Sequence, residues 1–268
     1  MIRRATLRLA ALWLAALPLY SATKLLVTVV EQKSGAPVLN LQPQDFSVFD
    51  DKTPRQVESV DFTHDTLDIM LLLDTSVVGG VVQPLAEQFV AQLQPKEQLA
   101  VVAYHSSADL IQDFTSSREL IMRSLSGVKY GNEPHLLDAL FAAIDTGFPD
   151  TVFRRVVLLL TSGLEGASRS GERDVVRLAR HRQVSIYPVY VVGNERSLLE
   201  QLARQTGGAS FNARDLRRAS ADQPGQRVFE VVRSHYTLTV TGNLGFGEKL
   251  RVEVKRPDKV QVSAMALE

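Results

Sequence analysis

Leu71-Leu72-Leu73-Asp74-Thr75-Ser76-Val77-Val78 carries an apolar run straight into a polar turn. The run ending at Leu73 is short, continuous and bounded by polar residues. That pattern predicts a strand buried on both faces of a parallel sheet. In an open α/β sheet, ligands bind just beyond the carboxyl ends of such strands. Asp74 and Ser76 therefore stand where a site would be.

Outward from this strand, strand and helix signals alternate. Apolar residues at helical spacing cover Gln83–Leu93, and Gln94-Pro95 ends them. Leu99–Tyr104 predicts a second strand, with Ala108–Phe114 its antiparallel partner three polar residues away. Ser116-Ser117-Arg118-Glu119 has the pattern of a capping box. Leu136–Ile144 is helical, Val156–Leu160 is a second apolar central strand, and Glu172–Arg182 is a charged amphipathic helix. Ser185–Val192 is a strand. Ser197–Gln205 is a helix closed by Gly207-Gly208, and Ala209–Phe211 is a last short strand. The alternation predicts a doubly wound, mainly parallel α/β sheet over 65–216, covered on both faces.

Short alternating runs flank this region: Leu26–Val30, Asp45–Asp50 and Arg55–Val60 before it, Tyr236–Val240, Leu250–Lys255 and Val260–Ala264 after it. Neither set is large enough to stand alone. We expect 23–64 and 236–268 to form one discontinuous β-sandwich-like module, with the α/β domain inserted and 217–235 a connecting helix. Insertion requires chain ends that lie close together.

The 30 basic and 30 acidic residues balance, and no basic run is interleaved with aromatics, so no nucleic-acid partner is expected. The absence of cysteine excludes disulfides, thiolate catalysis and zinc–thiolate sites. Arg3, Arg4 and Arg8 precede the apolar run Leu9–Leu19, with Ser21-Ala22 as a cleavage edge. This predicts a signal peptide or N-terminal anchor over 1–22, with an apolar run shorter than the ~20 residues a spanning helix needs. The expected location is exported: periplasmic, envelope-associated or secreted, with membrane contact only through an uncleaved leader. HExxH, a G-x-S-x-G elbow and a phosphate loop are all missing. The histidines are scattered, with only His105 and His135 in loops near the sheet's carboxyl edge.

The order of motifs resembles a von Willebrand factor A domain. The resemblance rests on Asp74-Thr75-Ser76, Val101–Tyr104 with Asp113-Phe114-Thr115, Leu136–Leu140, Val156–Gly163 and Thr206-Gly207-Gly208. The flanks resemble the exported bacterial "VWFA-related" subgroup of the acidobacterial type, through Val27–Val30, Gly35–Val38, Asp45–Asp51, Tyr236-Thr237-Leu238 and Val252–Pro257. The resemblance implies a metal-ion-dependent adhesion site on three loops: Asp-x-Ser-x-Ser, a threonine before a Leu-x-Asp-Ala helix, and an aspartate after the central apolar strand. Here Asp74 and Ser76 match, Val78 and Pro134 stand at the second serine and the threonine, and Ser162 stands at the aspartate.

The expectation is therefore a degenerate site without a tightly held metal and with no cofactor. Any weak magnesium or calcium would fall to Asp74, Ser76 and Ser162, with Asn132, Glu133 or Glu165 as additional oxygen donors. Asp74 is then expected to be satisfied by backbone amides at its turn, where a helix N-terminus favours negative charge. The predicted function is non-enzymatic protein binding through loops 75–80, 130–135 and 162–171, using Asp74, Ser76, Asn132, Glu133, His135, Ser162 and Glu165. The alternatives are metal-bridged binding of an acidic ligand and, less favoured, an enzyme on the same fold.

Overall fold

The structure is a computed structural model and describes residues 22–219, 224–244 and 249–267. The leader read at 1–22 lies outside the described residues except for Ala22.

The first flank supplies β1 (Ala22–Glu31), β2 (Phe46–Asp50), β3 (Thr53–Arg55) and β4 (Val57–His64). The middle runs β5 (Leu67–Asp74), α1 (Gln83–Gln92), β6 (Gln98–Tyr104), β7 (Ala108–Thr115), α2 (Arg118–Ser126) and α3 (Leu136–Thr146). It continues through β8 (Arg154–Thr161), α4 (Glu172–His181), β9 (Val184–Tyr190), α5 (Arg196–Gln205) and β10 (Phe211–Asn212). Helices α6 (Ala213–Ala219) and α7 (Pro224–Arg233) lead to β11 (Ser234–Thr241), β12 (Leu250–Val254) and β13 (Val260–Leu267).

The central sheet has the order β10-β9-β8-β5-β6-β7. Only β7 runs antiparallel, against β6, because three residues are too few for a crossover. Every residue of β5 is buried. Its side chains alternate: Ile69, Leu71 and Leu73 meet Phe89 of α1, Ile121 of α2 and Phe229 of α7. Met70 and Leu72 meet Leu140 of α3, Val176 of α4 and Leu202 of α5. The strand run at Leu71 thus fills two helical layers at once, which is the doubly wound arrangement.

The two flanks share their sheets. β1 lies between β11 and β13 in the order β13-β1-β11-β4, and β2 lies between β12 and β3. Leu25, Val27, Phe46, Val48, Tyr236 and Leu238 form their common core. Tyr236 stitches it to the loop after β1: its hydroxyl donates to the Val38 carbonyl at 2.8 Å and accepts from the Leu41 amide at 3.2 Å.

The flanks are also bonded to the α/β domain. The Thr28 hydroxyl donates to the Gly207 carbonyl at 2.7 Å, and the Gln183 side-chain amide donates to the Ala266 carbonyl at 3.2 Å. Gly207 has φ +73°, and a Cβ there would stand 2.8 Å from Leu26, so only glycine serves at this turn.

Two local expectations differ from the structure. The N-cap of α2 is Ser117, accepting from Leu120, one residue later than the capping-box pattern placed it; Glu119 instead pairs with Arg123. The connecting segment holds two helices, α6 and α7, in place of one.

Candidate functional site at the carboxyl edge of the central sheet

β5 ends at Asp74, whose carboxylate is completely buried. Its Oδ1 accepts the Ser76 amide at 2.9 Å, and its Oδ2 accepts the Ser162 amide at 2.8 Å. One side chain therefore joins the loop after β5 to the loop after β8. Gly79 closes over it: a Cβ there would lie 2.2 Å from the Asp74 carbonyl oxygen. Thr75 fastens the turn to β6, donating both its amide and its hydroxyl to the Tyr104 carbonyl at 2.7 and 2.9 Å.

The loop before α3 is held as closely. The Val77 amide donates to the Asn132 carbonyl at 3.1 Å, and the Gly131 amide to the Thr75 carbonyl at 2.9 Å. Pro134 is buried, and its carbonyl accepts the Gly166 amide at 2.6 Å. Glu165 Oε2 accepts the Leu136 and Leu137 amides at 2.9 and 3.3 Å, filling donors that a helix N-terminus leaves open. In return Asp138, in the first turn of α3, accepts the Arg169 and Ser170 amides, the latter at 2.7 Å. Helix and loop cap each other through these two carboxylates.

The electrostatics follow from burial. Burial raises the Tyr104 phenol well above its usual range, and the Asp74 charge adds to the effect. Burial also raises Glu165, against the opposing hydrogen bonds of Ser168, Leu136 and Leu137. Partial burial of Asp138 is outweighed by the Arg169 and Ser170 amides, which hold its carboxyl below the usual range. The hydroxyls of Ser76 and Ser162 are buried and make no hydrogen bond.

Of the residues singled out in the sequence, Asp74, Ser76 and Ser162 are joined directly. Glu165 acts as a cap on α3. Asn132 is exposed, has φ +62°, and contributes its carbonyl. Glu133 is exposed. His135 is the N-cap of α3 without a side-chain bond to it, and its amide donates to the His105 carbonyl at 2.8 Å. Sequence reasoning passed over Thr75, Asp138 and Tyr104, although Asp138 lay in the quoted Leu-x-Asp-Ala pattern. It also passed over a feature of the surface: Val77, Val78, Val81 and Tyr130 are exposed beside the site.

A family model, the von Willebrand factor type A domain, matches residues 68–223, more than half of the chain. The chain belongs to this family. Asp74, Ser76, Pro134 and Ser162 all lie within the matched residues. Among solved structures, the chain is similar to proximal thread matrix protein 1 from the mussel byssus. One structure of it shows 19% identity and a TM-score of 0.56 over 73% of this chain and 51% of that one. Another, with a zinc-occupied MIDAS motif, shows 18% identity and a TM-score of 0.55 over 69% and 50%. This chain spans about half the length of that mussel protein. The vWF domain of the type V pili tip protein Mfa5 from Porphyromonas gingivalis shows 10% identity and a TM-score of 0.49 over 63% of this chain and 95% of that one. Comparison with curated proteins gives no match.

Proposed function

We propose that the chain is a non-enzymatic protein-interaction module of the adhesion or scaffold type, binding a protein partner through its carboxyl-edge loops without a metal. The observation that carries this reading is Asp74. Both of its carboxylate oxygens already accept backbone amides from two of the loops. Val78 and Pro134 bring no side-chain oxygen to the positions where the family places ligands, and Ser162 brings a hydroxyl in place of a carboxylate. Magnesium and calcium are hard cations whose affinity rises with the number of charged oxygen ligands. One engaged carboxylate with two hydroxyls does not fit a tightly held dication. Among the described residues no group of three or more His, Asp or Glu is suited to a metal. The position is read as a degenerate metal-ion-dependent adhesion site whose loops are tied by the protein's own carboxylates.

The resemblance of the flanks to exported bacterial VWFA-related proteins, and the leader pattern read in the sequence at 1–22, support export to the periplasm, the envelope or the medium. Among the described residues no helix is long and apolar enough to cross a membrane.

One observation favours a second reading. The buried, unbonded hydroxyls of Ser76 and Ser162 suit a cation held with Asp74, helped by Asn132 or Glu133 and bridging an acidic ligand. Thermal unfolding in magnesium, manganese, calcium and chelator separates the two readings, using the wild-type chain and Asp74→Asn. Metal-free recognition predicts melting temperatures that do not depend on the cation in either protein. A cation-dependent rise in the wild type that disappears in Asp74→Asn selects the second reading.

A further inference from the structure

The loops carry an apolar surface where a metal-bridged contact would be polar. Val77, Val78, Val81 and Tyr130 are 74, 42, 48 and 36% exposed. Two bonds bring their loops side by side: the Val77 amide donates to the Asn132 carbonyl, and the Tyr130 hydroxyl donates to Gln83 Oε1 at 2.7 Å. The segment Thr75–Ala86 contains no ionisable side chain. A cluster of exposed valines with an aromatic residue on one edge marks an interaction site, whereas scattered apolar residues would not.

The charges around this patch are acidic. Glu87, on α1, and Glu133, on the second loop, are exposed, and neither forms an ion pair among the described residues. Asp74 lies beneath the patch. Lys129 is the single lysine or arginine on the loop 128–135, which ends at His135. A dication would reverse this polarity and attract a partner carboxylate. Without one, a carboxylate brought here would lose its hydration and meet mostly like charge, with Lys129 the one opposing Lys or Arg on that loop.

We infer that the partner presents an apolar segment flanked by a lysine or arginine, the opposite polarity to metal-bridged recognition of an acid. The aliphatic part packs on Val77, Val78, Val81 and Tyr130, and the basic group faces Glu87 and Glu133. This inference rests on the metal-free reading of the edge.

The test selects peptides from a random phage-displayed library on the intact chain, in parallel in chelator and in magnesium. The selected peptides are then measured on Val77→Ser/Val81→Ser and on Glu87→Lys/Glu133→Lys, changes confined to exposed side chains. The inference predicts aliphatic peptides with a basic residue, selected equally in both buffers. Their affinity should fall about tenfold or more in the valine variant, the equivalent of withdrawing one buried aliphatic side chain. The charge-reversed variant should prefer acidic peptides. Acidic peptides selected in chelator overturn the inference while leaving metal-free recognition standing. Acidic peptides selected only in magnesium overturn both. Basic peptides indifferent to either variant place recognition elsewhere and overturn the inference. A concentration-dependent mass in sedimentation, abolished by Val77→Ser/Val81→Ser, would assign the patch to a second copy of the chain and overturn it as well.

Discussion

Glu165 shows how one side chain changes role between sequence and structure. As a residue in a polar loop it is a candidate for direct contact with a ligand. In the fold it turns inward and accepts the first amides of α3, while Asp138 returns the contact to the Arg169 and Ser170 amides. Replacing Glu165 with alanine removes an N-terminal cap, which costs about 1 kcal/mol. Glutamine retains the accepting oxygen. We therefore expect Glu165→Ala to lower stability by about that amount in denaturant titration and to speed hydrogen exchange at Leu136, Leu137 and Gly166. Glu165→Gln should stay near wild type. Equal loss in both variants would show that the charge, and not the cap, is what α3 requires. The sequence-based expectation that backbone amides satisfy Asp74 at its turn matches the bonds from the Ser76 and Ser162 amides. The sequence did not mark Glu165 as a cap, because the amides it serves lie almost thirty residues away.

The elements were readable wherever burial is two-sided. β5 and β8 are buried along nearly their whole length, so their apolar runs announced them directly. The place where the inserted domain enters and leaves the flanking sheets was not readable, because it depends on contacts between distant elements. There β4 and β11 pair side by side, and the Asp65 amide donates to the Arg233 carbonyl. His235 is buried at this junction, its Nε2 3.6 Å from the Asp65 carboxylate. Burial dominates, and with the Arg154 guanidinium and His64 it lowers the His235 imidazole from 6.5 to about 3. A depressed histidine is neutral in the folded chain and protonates on unfolding. Its contribution is present in full above pH 6.5 and is lost as pH falls toward about 3. Asp65, raised by burial, contributes the opposite slope within the carboxylate range. We expect the unfolding free energy to decline between pH 6.5 and about pH 5, before most carboxylates titrate. The decline should flatten in His235→Gln. An unchanged slope in that variant would remove His235 as its source.

The chain as a whole uses distant segments to make each part. β1 is the inner strand of a sheet completed by β11 and β13, so neither flank is a finished unit. The bonds Thr28 makes to Gly207 and Gln183 to Ala266 carry that dependence to the α/β domain. Alternating short strands at both ends of the sequence were sufficient to predict a joint module. Their order within the sheet was not, since nothing local specifies that β1 lies between two strands from the other end. On this frame the carboxyl edge is held by amide–carboxylate bonds from Asp74, Glu165 and Asp138, and the proposal is that it works without an ion. Equilibrium dialysis of the intact chain against manganese, with bound metal counted per chain, tests this most directly. A variant restoring the family ligands, Val78→Ser/Pro134→Thr/Ser162→Asp, serves as the comparison. The account predicts no saturable binding to the wild type and gain of one site in the restored variant. A saturable site in the wild type that Asp74→Asn abolishes would contradict it.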